Sequence, residues 1–329
     1  MKKILPFLLF AILFEQAASS QTTEISGKPI AEIYTDFHLN LNDTAKTTGF
    51  GLNRAYLGYN FLPAGNFSGS IIVNIGSPDD LAEGAIHRRY AYFREASLSW
   101  TNEKINISFG ITGTRIQNFQ QKFWGKRYIA NNYQTLNGYG FIADLGIVMD
   151  YKINDILTAD ISIMNGEGYS ELQLDNGVKT AAGLTITPSR QLAFRLYGDI
   201  DKSEGVWQST LVGFAGFKNE LISIGAEANF KSNLDMIGGH NACGFSGTGA
   251  ISVTKKSELF VRYDYSTSVL VPGETMQWNY KKDGTFLIAG VQHTFSQNVK
   301  IALDYQGTFP YNSGRKISDA LFVNALFKF

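Results

Sequence analysis

Arg115, Lys122, Lys126 and Arg127 fall within residues 114–140, a segment that holds no Asp or Glu. Charge of one sign focuses a field wherever a segment narrows a water-filled path between low-dielectric walls. The chemistry expected here is therefore preference for anions rather than bond making. Lys126 and Arg127 follow Trp124-Gly125, where a bulky anchor and a flexible residue set a bend. Lys gives a flexible point charge and Arg a fixed fork suited to carboxylate or phosphate, so these two are expected to weigh most on selectivity. Phe119, Phe123, Trp124 and Tyr128 in the same segment would alternatively suit a track for sugar rings.

Catalytic signatures do not emerge. His38, His87, His240 and His293 are scattered, with no H-E-x-x-H spacing. Neither G-x-S-x-G nor a P-loop is present. Asp and Glu spread along many segments without one pair singled out for glycoside hydrolysis. A Ser and a His need only meet in space, so a barrel-embedded lipid hydrolase stays open as an alternative. The reading is of no enzyme, no metal and no cofactor.

The elements that position these groups are strands. From Leu321, one phase is Leu321, Val323, Ala325, Phe327 and Phe329, and the other is Phe322, Asn324, Leu326 and Lys328. Period-2 alternation of a wholly apolar phase with a mixed one suits a strand between a greasy exterior and a wet interior. The same grammar recurs from residue 31 onward and gives sixteen strands. Connections are short after even strands and generally longer after odd ones. This predicts an all-β fold, a 16-stranded antiparallel transmembrane β-barrel with short periplasmic turns and long extracellular loops. A closed barrel has no edge, so its last strand must pair with its first. No proline of the mature chain falls inside a predicted strand. Within the fourth strand, about 92–101, Arg94 or Glu95 faces outward unless a bulge near 94–95 swaps the faces. The faces of the twelfth and fourteenth strands, about 243–253 and 285–294, are open at this point.

Lys2 and Lys3, the apolar run 4–14 and the small residues Ala17 to Ser20 read as a cleavable signal peptide over 1–20, leaving 21–329 as a single barrel domain. Removing Lys2, Lys3 and Glu15 from 29 basic and 29 acidic residues leaves 27 and 28. That balance implies no nucleic-acid partner. A lone Cys243 excludes an intrachain disulfide. Inward phases place both signs on the lumen wall: Arg54, Arg195, Arg262 and Lys300 against Glu32, Asp36, Asp144, Asp160, Glu227, Asp264 and Asp304.

The chain resembles the general porins of Gram-negative bacteria, especially the porin O/P-like group of Bacteroidetes. The carrying pieces are L-N-R-A-Y-L-G-Y-N-F (52–61), N-F-S-G (66–69), Q-K-F-W-G-K-R-Y (121–128), Y-G-F-I-A-D-L-G (139–146), F-V-R-Y-D-Y (260–265) and terminal Phe329. The resemblance implies an outer-membrane homotrimer whose third extracellular loop folds into the lumen. It implies contact with membrane lipid and lipopolysaccharide, and Phe329 as the signal read by the barrel-insertion machinery. It also implies passage of small anions or hydrophilic solutes. Its anion-selective members line their path with many basic residues. This wall has fewer and mixes in acids, which implies a mild anion preference. An oligosaccharide-specific channel and a structural part of an outer-membrane assembly are the remaining alternatives.

Overall fold

The computed structural model describes residues 26–42, 48–76, 90–173, 176–280, 282–311 and 317–329. The signal peptide and His87 lie outside the described residues. The strands are β1 Gly27–Asn40, β2 Gly49–Ala64, β3 Phe67–Gly76, β4 Tyr90–Thr101, β5 Ile105–Gly113, β6 Ala143–Lys152, β7 Leu157–Met164 and β8 Lys179–Ile186. They continue as β9 Leu192–Ser203, β10 Val206–Lys218, β11 Ile222–Ser232, β12 Ala242–Ser252, β13 Ser257–Ser268, β14 Gly284–Ser296, β15 Val299–Pro310 and β16 Ser318–Lys328. Each pairs antiparallel with its neighbours in sequence, and β1 pairs with β16 to close the barrel. Glu32 opposes Lys328 and Asp36 opposes Asn324 in that seam. Phe329 adds a last backbone bond, its N–H donating to Ala31 O at 2.8 Å.

The alternation sorts side chains as expected. Ile33, Phe37 and Leu39 on β1, like Leu321 and Val323 on β16, stand outward and exposed. Tyr34 and Asp36 turn inward and are buried. On β4 the ladder slips one residue: Ile72 pairs with Glu95 and Val73 with Phe93, so Arg94 is the bulged residue. The bulge lets Phe93, Ala96 and Leu98 share the outer face while Glu95 turns inward. In β14 the inward phase is Phe286, Ile288, Gly290 and Gln292, with Ile288 fully buried. In β12 it is Ala242, Gly244, Ser246 and Thr248. Apolar inward residues blurred both strands in the sequence, because they pack against protein within the lumen rather than water.

Turn chemistry explains the short end. Asn102 Oδ1 accepts the N–H groups of Lys104 and Ile105. Asn154 does the same for Ile156 and Leu157, and Asn219 for Leu221 and Ile222. Ser189 and Thr254 hydroxyls repeat the pattern. Such side chains mimic a backbone turn and close a hairpin in few residues.

Two expectations need correction. The connection after β9 is only Glu204-Gly205, with φ of +48° and +90°, a tight hairpin on the long-loop end. Prolines also enter strands: Pro29 in β1, Pro63 in β2 and Pro310 as the last residue of β15. They are tolerated at strand ends. The β16 ladder reaches only Glu32, so Pro29 has no neighbour on that side, and Pro63 sits in a register shift of the β2–β3 ladder.

Val323→Arg is expected to destabilise the barrel by about 2–4 kcal/mol if the position lies at mid-membrane, seen as loss of the heat-modifiable folded band. Removing Phe329 is expected to reduce insertion by the same readout. In a Cys243→Ser background, a cysteine at Leu172 or Met276 should label from outside intact cells and one at Ser189 should not. The reverse pattern would invert the topology.

Candidate functional site: an inserted loop in the barrel lumen

Residues 114–142 leave β5, cross the lumen and return to β6. The sequence predicted no helix here, yet Arg115–Trp124 is helix α1 and Tyr133–Leu136 is helix α2. The missed signal is the spacing of Ile116, Phe119 and Phe123, three and four residues apart, followed by Gly125 as the left-handed cap at φ +67°. The segment's ends are pinned together: Thr114 N–H donates to Ile142 O at 3.1 Å and Thr114 Oγ1 to Phe141 O at 2.5 Å.

Packing then fixes the crossing. Phe119 and Phe123 meet Phe214 of β10 edge-on, at ring separations of 5.4 and 5.0 Å. A Cβ at Gly216 would stand 2.5 Å from the Phe123 ring, and one at Gly225 would stand 2.9 Å from it. These two strand glycines make the pocket for that ring. Trp124 lies against Phe260 of β13 at 6.1 Å. Beyond α1, Tyr128 OH donates to Gln292 of β14 at 2.7 Å. Gln134 Nε2 donates to Glu227 and Asn229 of β11, at 2.9 and 2.7 Å. Lys231 Nζ donates to Tyr139 O at 3.0 Å. The loop thus packs on β10 and bonds to β11, β13 and β14, and it reaches β2 through Arg54 and Tyr56 and β15 through Gln306.

The four basic residues of the loop do not share one fate. Arg115 grips Asp150 of β6 with both Nε and Nη2, at 2.7 and 2.6 Å. Lys126 is buried, bonded to Glu258 of β13 at 2.8 Å, with its ammonium 5.1 Å from the Trp124 ring. Burial pulls the Lys126 ammonium below its ordinary value, and the Glu258 carboxylate opposes that shift. Lys122 is exposed on α1. Arg127 stacks 5.8 Å from the Tyr56 ring, and its Nε and Nη2 are buried without a hydrogen-bond partner. Lys126 and Arg127, expected to act together, are placed differently: the loop delivers Lys126 onto a wall carboxylate and leaves Arg127 without one among the described residues.

The wall divides likewise. Arg195 holds Asp160 through two bonds, at 2.7 and 3.0 Å, and also donates to Arg115 O. Arg262 holds Asp264 in the same way and donates to Asn131 O. Asp144 accepts the N–H groups of Leu145 and Gly166. Asp304 accepts from Asn324 and Gln306. Asp36 takes Asn53 and His38, while Glu32 meets Lys328 and Tyr34. Lys300 is half-buried on β15. Arg54 donates to Asn131 Oδ1 at 2.9 Å and to Tyr56 OH at 3.4 Å. Sequence reasoning missed Lys179 and Asp201, which the start of β8 and the end of β9 turn inward, and it left the face of Arg94 open.

An open cavity of about 1640 Å³ remains, lined by Tyr34, Asp36, Arg54, Tyr92, Arg127 and Tyr169 among others. A Ser–His contact does exist: Ser257 and His293 are 2.8 Å apart on β13 and β14. Among the described residues no third group hydrogen-bonds the His293 ring, so it lacks the orienting partner of a triad.

Asp160→Asn is expected to leave buried Arg195 unpaired and cost about 3–5 kcal/mol, measured by urea unfolding in detergent. Asp155→Asn, in the exposed 153–156 turn where a Lys152 hydrogen bond holds the Asp155 carboxyl below its usual range, should leave the midpoint unchanged.

No protein-family model matches the chain, and no curated protein matches it. Solved structures do. OmpF of Salmonella typhi in complex with daunomycin superposes with a TM-score of 0.69 at 12% identity, over 93% of this chain and 98% of that one. An anion-selective porin from Comamonas acidovorans gives 0.67 at 10% identity, over 93% and 100%. OmpT, an outer membrane protein of Vibrio cholerae in an in-vitro folded trimer form, gives 0.61 at 14% identity, over 92% and 99%. The chain therefore has the fold of a sixteen-stranded outer-membrane β-barrel.

Proposed function

We propose that this barrel is an outer-membrane porin, a passive diffusion channel for small hydrophilic solutes and ions with a mild anion preference. One observation carries the reading: the lumen keeps a large open cavity, and on its wall stands Arg127, a cation of the inserted loop with no acid partner among the described residues. Arg195, Arg262 and Lys126 are cancelled in pairs, and Asp144, Glu227 and Asp304 are buried behind neutral donors, so the guanidinium groups left uncompensated beside the cavity weight the local field toward anions. The reading includes no enzymatic step. Assembly as a homotrimer, insertion through a machinery that reads Phe329, and membership of the porin O/P-like group are parts of the same proposal. The trimer is supported by the Vibrio cholerae neighbour in its trimer form.

Planar-bilayer recordings in a tenfold potassium chloride gradient test it. The wild type is expected to show an anion-favouring zero-current potential. Arg127→Glu should move it toward cations, and the shift should shrink near 1 M salt, where the Debye length is about 3 Å. Lys126→Met with Glu258→Gln removes a cancelled pair and should leave the potential in place. A barrel that carries no current, or a cation-selective wild type, overturns the reading.

A further inference from the structure

Arg127 is not alone. Arg54 from β2 reaches the same region, tied to the loop through Asn131. Arg94 is the bulged residue of β4, its side chain mostly buried, and Arg54 and Arg94 both act electrostatically on Arg127. Against these three cations, the one ion pair among the described residues is Arg94 with Glu95, at a loose 3.8 Å. Nη1 of Arg94 is buried with no hydrogen-bond partner, as are Nε and Nη2 of Arg127. Asp36, one of the acids that line the same cavity, is already held by His38 and Asn53.

The free edge of Arg127 has a chemical meaning readable in the same molecule. Arg115 and Arg262 each use Nε and Nη2 to hold the two oxygens of one carboxylate. That edge matches a planar two-oxygen anion. Buried like charges without a counter-charge are costly, and an anion among them would relieve the cost. The surroundings narrow the kind of anion. Tyr56 stacks on Arg127. Tyr34, Tyr92 and Tyr169 line the cavity, the last two paired at 5.7 Å, with Tyr92 OH held by Asn74. Such a wall offers ring faces to a planar body and little to a fully hydrated inorganic ion.

We propose that Arg127, Arg54 and Arg94, walled by Tyr56, Tyr92 and Tyr169, form a discrete lumenal binding site for one small aromatic carboxylate. This deepens the channel reading by naming a solute class that the pore retains on its way through. The carboxylate lies on the guanidinium groups and the ring against the tyrosines, which makes the site a transient stop rather than a barrier.

Calorimetry with sodium benzoate on the purified barrel in detergent tests the site without requiring conduction. One saturable site per chain is expected. Binding should weaken at least about tenfold in Arg127→Gln, since a charge-assisted pair is lost. It should also weaken in Arg127→Lys, which keeps the charge and loses the fork, and in Tyr92→Leu. Lys122→Gln, on the exposed face of α1, should bind as the wild type does. Heat-modifiable migration identifies the variants that fold. Inorganic phosphate bound as tightly as benzoate, or benzoate binding untouched in Arg127→Lys, overturns the proposal. Benzoate binding by a barrel that passes no current would sink the channel reading and leave the site standing; current without binding would do the opposite.

Discussion

Closure of the backbone ladder is the constraint from which the rest follows. Hydrocarbon offers no hydrogen bonds, so every strand N–H and C=O must find a partner within the protein. The seam between β1 and β16 removes the last free edge, from Glu32 opposite Lys328 to Asn40 opposite Ala320. Once the ladder is closed, period-2 alternation has only two destinations, lipid or lumen. An outward polar residue or a one-residue slip becomes costly, which is why Arg94 sits in a bulge instead of facing out.

A closed barrel of sixteen strands is too wide to fill with its own inward side chains, so its interior needs another occupant. The 114–142 segment supplies it. Phe214, Phe260, Ile288 and Ala302 point inward because Phe123, Trp124, Tyr128 and Ile129 are there to cover them. The missing side chains at Gly216 and Gly225 belong to the same fit. One side of the lumen therefore resembles a protein core, and the other stays polar and open.

Electrostatics follows from that geometry. Placing a cationic loop on a wall of mixed sign pairs some of the charges, and pairing weakens their part in the field that a solute meets. Arg115 and Lys126 are used in this way to hold the loop down. Arg127, stacked on Tyr56 of β2 with Arg54 and Arg94 acting on it, is not. Function accordingly rests on what the packing leaves over, not on the total number of basic residues.

The strands were legible in the sequence because their signal is local: Leu321, Val323 and Ala325 show their phase without reference to anything else in the chain. The bulge at residues 94–95 was legible for the same reason, since two adjacent charges broke an otherwise regular pattern. The phases of β12 and β14 were not, because whether Ile288 or Phe286 may face inward depends on a loop more than 140 residues earlier in the chain. The helix α1 was obscured by reading for period 2 where the period is 3.6. Most of all, the sequence determined that 114–140 carries four cations and no acid, while only the tertiary structure decided that Arg115 meets Asp150, that Lys126 meets Glu258 and that Arg127 meets neither. Charge content is a property of residues; charge compensation is a property of distances, and those exist only once the loop has crossed the lumen.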